Sequence, residues 1–136
     1  MAASDYLEDA VLQHVFEGAA LTQPTVWVGL SVGAPLDDGS GLNEPDPGDG
    51  YARVRPDDEE GRWEITEVGG TTTAENKGDV RFPEATGGWG EITHVALFDA
   101  ESHGNMLAHF PLNVPTEIGL GDSLVLYAGN LIIELD

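Results

Sequence analysis

The sequence predicts a mainly β fold, a single-domain antiparallel β-sandwich or barrel with one N-terminal amphipathic helix. Three observations support this prediction: short runs of β-branched and aromatic residues recur along the chain, glycine-rich turns separate most of them, and one segment has the period of a helix. The chain has 136 residues, of which 40% are hydrophobic, so it can bury a core of its own. We therefore treat residues 1–136 as one domain.

The helix is predicted over residues 4–17. Ser4 is a suitable N-cap, acidic residues follow it in the first turns, and Gly18 is a natural stop. The apolar stripe of this helix is narrow, so we expect the helix to pack against something larger. The stripe consists of Leu7, Val11, His14 and Val15, flanked by Tyr6 and Ala10.

Strands are predicted where apolar and β-branched residues cluster between turns. The runs at 25–32 and 92–98 contain few polar residues and are typical of well-buried strands. Residues 63–68 alternate, but the side that faces the core is ambiguous. The full set of predicted strands is 25–32, 51–55, 63–68, 79–82, 92–98, 106–112, 123–127 and 131–135.

Residues 34–50 are predicted to form a long acidic loop, because they are rich in Pro, Gly and Asp and have no periodicity. Loops of this length in compact domains are usually functional or mobile. A second acidic stretch at 57–61 is predicted to be a turn. Neither stretch has the ligand spacing of a calcium-binding EF-hand. We therefore expect no metal site and no cofactor, apart from weakly bound cations on the acidic loops.

The charge balance limits the environment of the protein. Twenty-five acidic residues oppose five basic ones, which gives a formal net charge of −20. Such a charge destabilises a compact state by self-repulsion, and this repulsion fades when the screening length falls to about 3 Å near 1 M salt. The sequence therefore indicates a protein of an extreme halophile or of something that lives on one, with an acidic mesophilic protein as the alternative.

The same charge excludes two classes of partner. Nucleic acid backbones need clustered Lys and Arg, and anionic membrane surfaces repel a chain this acidic. No apolar stretch approaches the roughly 18 residues of a membrane span. The N-terminus lacks the pattern of a secretory signal, so we expect use without the general export pathway.

Motifs of known catalytic chemistry are missing from the sequence. It contains no nucleophile elbow, no phosphate-binding loop and no cysteine, and its four histidines lack the spacing of a helical metal pair. We therefore expect no enzyme and no catalytic residue. A halophilic enzyme or a calcium-dependent binding module remains as an alternative from a different functional class.

The order of motifs is more specific than any single residue. YLEDAVLQHVFEG (6–18) is followed by PTVWVGLSVGAP (24–35), GYARV (50–54), FPEATGGWGEITHVALFD (82–99) and GDSLVLYAGNLIIEL (121–135). This arrangement resembles a family of small structural proteins encoded by tailed viruses of bacteria and archaea. The resemblance spans nearly the whole chain, and the block at 82–99 is its most specific part. The departures are mainly acidic replacements and a stretched loop.

The resemblance implies a virion protein of a haloarchaeal tailed virus. Members of this family are often labelled tail-fibre proteins, although some fit the head surface better. We expect a capsid-surface turret or decoration protein that contacts copies of itself and other virion proteins, above all the major capsid protein. A tail fibre or baseplate component that contacts the host is the alternative.

Interface residues are expected in the N-terminal helix and the C-terminal strand, which contribute either to the core or to a subunit contact. Trp89 lies between glycines and is either a core residue or an exposed contact of the kind that anchors interfaces. The residues predicted at an interface are Tyr6, Leu7, Val11, Val15, Trp89, Leu131 and Ile133.

Overall fold

The computed structural model describes residues 2–57 and 63–134, and it shows a mainly antiparallel β fold with one N-terminal helix, as predicted. Most of the predicted turn at 57–61, Arg62 and the predicted end of the last strand at 135 lie outside the described residues. The elements are β1 (Ala2–Ala3), α1 (Asp5–Glu17), β2 (Trp27–Ser31), a 3₁₀ turn (Pro47–Asp49), β3 (Trp63–Val68), β4 (Thr71–Asn76), β5 (Val80–Arg81), β6 (Gly90–Phe98), β7 (Met106–Ile118), β8 (Val125–Leu126) and β9 (Ile132–Glu134).

In the part of the chain that the structure describes, the strands form three antiparallel sheets. One sheet has the order β1-β7-β6-β2, the second has the order β3-β4-β9, and the third pairs β5 with β8. The long neighbours β6 and β7 form the centre of the first sheet. These sheets are open and pack around one main core. Of the two predicted architectures, sandwich and barrel, the described residues form a sandwich-like one.

Both faces of the first sheet are covered by other parts of the protein, because its central strands carry apolar side chains on both faces. Alternation along β2 sends Val28 and Leu30 into the main core, and Val95 of β6 joins them there. On the other face, Phe98 belongs to a smaller apolar cluster, and the long loop and the segment after it cover this face. The loop therefore lies against the sheet.

The segment at 51–55 is not a strand, and this prediction was wrong. Only Val54 forms a bridge, to Val28 of β2. The next two N–H groups along the edge of β2 donate elsewhere: Leu30 to the Tyr51 hydroxyl and Val32 to the carbonyl of Asn43. A side chain and a loop carbonyl thus occupy the positions that a neighbouring strand would need.

Strand β4 was missed in the sequence. It pairs with β3 in a hairpin whose register places Val68 opposite Thr71, so the turn consists of Gly69 and Gly70 alone. Both glycines have positive φ, 63° and 85°, as the favoured two-residue hairpin turn requires. The Gly-Gly pair was therefore a readable hairpin signal.

Strand β7 continues beyond its predicted end at 112. His94 pairs with Pro111 and Ile92 pairs with Thr116, so residues 112–115 bulge out opposite a single residue of β6. The bulge interrupts the alternation of inward and outward side chains by which a strand is recognised in a sequence, so the second half of β7 was not predicted. Within the described residues, no helix has the length and apolar character needed to cross a membrane.

Candidate interaction site

Helix α1 begins and ends at the capping residues that the sequence predicts. Ser4 Oγ accepts a hydrogen bond from the Leu7 N–H at 3.2 Å, which satisfies one N–H group of the first turn. Gly18 ends the helix in the left-handed conformation, with φ of 72°. The predicted bounds of 4–17 therefore agree with the observed helix and its cap.

The side of α1 that faces the rest of the protein is only partly covered. Leu7 packs against the main core, and Ala10 and Val11 are half-buried beside it. None of the thirteen helix residues is fully buried. Most of the helix surface is therefore exposed to solvent, and few side chains of α1 pack against the sheet.

The opposite side of α1 carries large apolar side chains that point to solvent. Leu12 is 55% exposed, Val15 is 62% exposed and Phe16 is 79% exposed. Leu12 lies three positions before Val15 and four before Phe16, so Leu12 shares a side of the helix with each of them, and Val15 borders the inner stripe. We call these three exposed residues the outer face. The chain that follows at 19–21 is exposed as well. Exposed apolar surface is a common feature of interaction sites, so the outer face is the candidate site.

The seven predicted interface residues separate into two groups. Tyr6 and Val15 are exposed, and Leu7 and Val11 are half-buried on the helix. Trp89, Leu131 and Ile133 belong with the main core instead: the first two are buried, and the third is partly buried against it. An interface role therefore stays a prediction for the helix residues, whereas Trp89 and Leu131 fill the interior of the protomer.

Two residues of the outer face were missed in the sequence. Leu12 and Phe16 are four positions apart, as are Leu7 and Val11 on the inner side. The helix therefore carries two apolar stripes, of which only the inner one was identified together with Val15. A second stripe on a helix that needs only one to pack is the signal that could have revealed the outer face.

A second arrangement, the Arg53 cluster, ties the long loop to the turn between β6 and β7. The buried Arg53 guanidinium donates twice to Glu44, from Nε to Oε2 at 3.0 Å and from Nη2 to Oε1 at 2.6 Å. Its Nη1 donates to the carbonyls of Ala100 at 3.0 Å and His103 at 2.8 Å. The guanidinium carbon also lies 3.4 Å from the centre of the Phe98 ring. One cation thus joins two chain segments by charge-assisted bonds.

Tyr51 extends this cluster toward the main core. Its hydroxyl donates to Glu44 Oε2 at 2.5 Å and accepts from the Leu30 N–H at 3.0 Å. Its ring meets Trp89 edge to face, with 5.5 Å between centroids. Burial raises the pKa of the Tyr51 hydroxyl far above its usual value, and the bond to Glu44 raises it further, so this group stays a proton donor.

A cleft of about 1420 Å³ lies between the start of α1, the long loop and the turn between β6 and β7. Its central charges, Arg53 and Glu44, are bonded to each other, and its rim includes Asp37, Asp38 and Glu101. In residues 2–57 and 63–134, no three His, Asp or Glu side chains lie where they could hold a metal ion. The cluster beneath the cleft acts as a structural tie for the loop.

The first sheet contains two histidines, of which His109 contacts the long loop. His109 Nε2 lies 2.8 Å from Asp37 Oδ1 and so connects β7 to the start of the long loop. His94 Nδ1 lies 2.9 Å from the Thr93 hydroxyl. Burial lowers the pKa of His94, and the nearby His109 lowers it further. Both side chains thus have local partners within the fold.

Comparison with known proteins places this chain in a family. No match was found among curated proteins. A family model described as "Podophage GP4 fiber I protein gp80" matches residues 2–134, which is nearly the whole chain. The family is a virion fibre family, which supports a structural component of a tailed virus and its location in the virion. The chain belongs to the Podophage GP4 fiber I protein gp80 family.

Proposed function

We propose that this protein is a peripheral, non-enzymatic structural component that projects from a tailed-virus particle and is anchored there by α1. The observation that carries the proposal is the outer face of the helix. Leu12, Val15 and Phe16 stay exposed although the domain has a core of its own, so folding alone does not require them. A virion component gains from such a face because assembly covers it.

Two positions on the particle are candidates. The family description names a fibre protein and so favours a fibre component. For this candidate we propose a position at the tail or baseplate and contact with the host. The capsid surface is the second candidate, with the protein as a turret or decoration seated on the major capsid protein. The sequence favours this second position in one respect: it has neither an internal repeat nor the heptads from which a fibre shaft could be built.

Electron microscopy of virions labelled with an antibody to this protein, kept in molar salt, tests the proposal. Label on the tail tip or on lateral projections of the tail supports the fibre, and label on the head, especially at the vertices, supports the turret or decoration. Intact particles without label would contradict an exposed position on the virion.

We also propose that several copies assemble at each position. Ile65, Val68 and Ile132 of the β3-β4-β9 sheet are exposed, and contact between copies would cover part of this surface. Light scattering after size exclusion in molar salt measures the mass. A mass that is a multiple of the 14.4 kDa protomer supports assembly, and the protomer mass alone contradicts it.

The environment that we propose is that of a virus of halophilic archaea. The net charge of −20 supports this, because self-repulsion is relieved only when salt screens it. The melting temperature should rise steeply between dilute buffer and molar KCl. A melting temperature that does not change with salt would contradict a halophilic protein.

A further inference from the structure

We infer that the outer face of α1 binds a different virion protein, whose contact surface is an apolar groove bordered by Lys or Arg side chains. The inference rests on the proposed function and names the chemistry of the partner. A basic border is expected because the acidic residues of α1 lie next to the apolar outer face, so both properties belong to one contact surface.

The apolar part of the contact is the outer face itself. Leu12 and Phe16 are one helical turn apart on one side of the helix, and Val15, three positions after Leu12, flanks them toward the inner stripe. This is the spacing by which an amphipathic helix inserts anchors into a groove. Phe16 is the most exposed of the three and has the largest side chain, so we assign it as the central anchor.

The acidic part of the contact lies at the N-terminal end of the same face. A shallow groove of about 380 Å³ runs beside the first two turns of α1 and ends at Leu12. Three carboxylates line it, those of Asp5, Glu8 and Asp9. A Lys or Arg side chain of the partner that entered this groove would meet all three while its neighbours covered the apolar residues.

A second copy of this chain supplies no basic border for the outer face, because α1 contains neither Lys nor Arg. Two copies paired in parallel through α1 would also bring Glu8 and Asp9 against the same residues of the other copy, where like charges repel. Charges excluded from solvent are screened far less than exposed ones, so molar salt would not remove this repulsion. Like charges across an interface suppress the wrong partner.

The cations of this chain are also largely engaged elsewhere. Arg53 is buried against Glu44, and Arg81 is paired with Asp57 and Asp79. Arg55 also has an interaction partner, and Arg62 lies outside the described residues. Lys77 is exposed but supplies only one charge. The remaining sources of a basic border are other proteins.

The segment at 58–62 offers no basic border either, because it contains three acidic residues and only one Arg. An anionic lipid surface is disfavoured by the same carboxylates that favour a basic protein. The observations therefore favour a basic protein partner over the chain itself and over a membrane.

The test uses virus particles assembled without this protein as the binding probe. Purified full-length protein is added back in molar salt, and the bound amount is measured after sedimentation of the particles. Phe16→Ser should weaken binding by roughly tenfold or more, as expected for an aromatic interface anchor. Leu120→Ser is the matched control, because Leu120 is 75% exposed but lies far along the chain from α1, and it should bind like the wild type.

A second pair of variants tests the charge of the partner. Glu8→Lys with Asp9→Lys should weaken binding, whereas Glu91→Lys with Glu117→Lys, which changes the net charge equally on β6 and β7, should not. A photo-reactive benzoylphenylalanine in place of Phe16 should crosslink to another virion protein, at a segment that contains Lys or Arg.

The outcomes separate the inference from the proposed function. Wild-type protein that is absent from purified virions and does not bind the depleted particles overturns both. Wild-type binding that Phe16→Ser leaves unchanged, or a crosslink from position 16 to a second copy of this chain, overturns the inference alone. Equal loss of binding in both charge pairs would show general attraction and would overturn the basic border.

Discussion

The long loop at 34–50 and helix α1 are attached to the same sheet in opposite ways. The loop has no regular structure beyond one 3₁₀ turn, yet Glu44 is held by Arg53 and Tyr51, and Asp37 is held by His109. The helix is regular and capped at both ends, yet none of its residues is fully buried. Regular structure and firm attachment are therefore separate properties in this protein.

The difference also indicates where external contacts belong. Glu44 and Asp37 of the loop have partners elsewhere in the protomer, whereas Leu12, Val15 and Phe16 of the helix are exposed. A segment whose bonds are satisfied internally contributes to the stability of the protomer. A segment with an uncovered apolar face contributes to assembly, and the two regions should respond differently to substitution.

Replacement of Arg53 should have the largest effect on stability. Arg53→Met keeps a long side chain but leaves the partly buried Glu44 carboxylate without its cation. It also leaves the carbonyls of Ala100 and His103, in the turn between β6 and β7, without their donor. Breaking a buried pair by removing one partner costs about 3 to 5 kcal/mol. The free energy of unfolding from denaturant titration in molar salt should fall by about the lower of these values, near 3 kcal/mol.

The matched control for this prediction is Arg81→Met. Arg81 pairs with Asp57 and Asp79, but its side chain is more than half exposed. Exposed ion pairs contribute about 0 to 1 kcal/mol, so the change should be small. Equal losses in the two variants would show that burial of the cluster has no special importance.

Replacement of Gly29 should have the next largest effect, because β2 is closely covered at this point. A Cβ at Gly29 would lie 2.7 Å from Phe98 Cε2 and 2.8 Å from the Tyr51 hydroxyl oxygen. Both rings are buried and cannot move freely, so Gly29→Ala should cost about 1 to 3 kcal/mol by overpacking. Gly88→Ala is the control, since a Cβ at Gly88 would have no neighbouring heavy atom within 4 Å. If Gly29→Ala unfolds at the same denaturant concentration as Gly88→Ala, the loop is less firmly held than the contacts indicate.

Loss of the helix cap should have a smaller effect. Ser4→Ala removes the acceptor of the Leu7 N–H and should cost about 1 kcal/mol. Helix content, followed by circular dichroism during thermal unfolding, should fall before the sheet unfolds, because α1 is only lightly attached. Ser40→Ala is the control on the loop side, where one exposed bond to Asp38 is lost and stability should hardly change. A single transition at an unchanged temperature in Ser4→Ala would contradict this.

The sequence predicted the regular parts of the fold better than the contacts between them. The helix could be predicted because Ser4 and Gly18 are local signals, and strand β6 could be predicted because residues 92–98 include few polar side chains. The Arg53 cluster could not be predicted, because the bonds from Arg53 reach residues 9, 47 and 50 positions away. Pairing over such distances in the chain leaves no periodic pattern.

The candidate site was predicted only in part, for a different physical reason. Packing against the rest of the protomer explains the apolar residues of the inner stripe of α1. The sequence therefore indicated a helix with one narrow stripe that packs within the protomer. Packing within one protomer does not explain why the outer residues Leu12 and Phe16 are apolar. We propose that they contact a partner, and the sequence of this chain gives no information about that partner. Three-dimensional exposure was needed to separate the two stripes.

Replacement of Phe16 should have the smallest effect on stability, although we expect it to have the largest effect on assembly. Its side chain is 79% exposed, so Phe16→Ser should change the free energy of unfolding by no more than about 0.5 kcal/mol. Leu7→Ser is the control on the inner side, and partial burial against the main core should make its cost about 1 to 2 kcal/mol. Denaturant titrations of both variants in molar salt give the comparison. If Phe16→Ser lowered the free energy of unfolding as much as Leu7→Ser does, the outer face would stabilise the protomer itself. The helix would then no longer differ from the loop in having a surface that serves assembly rather than stability.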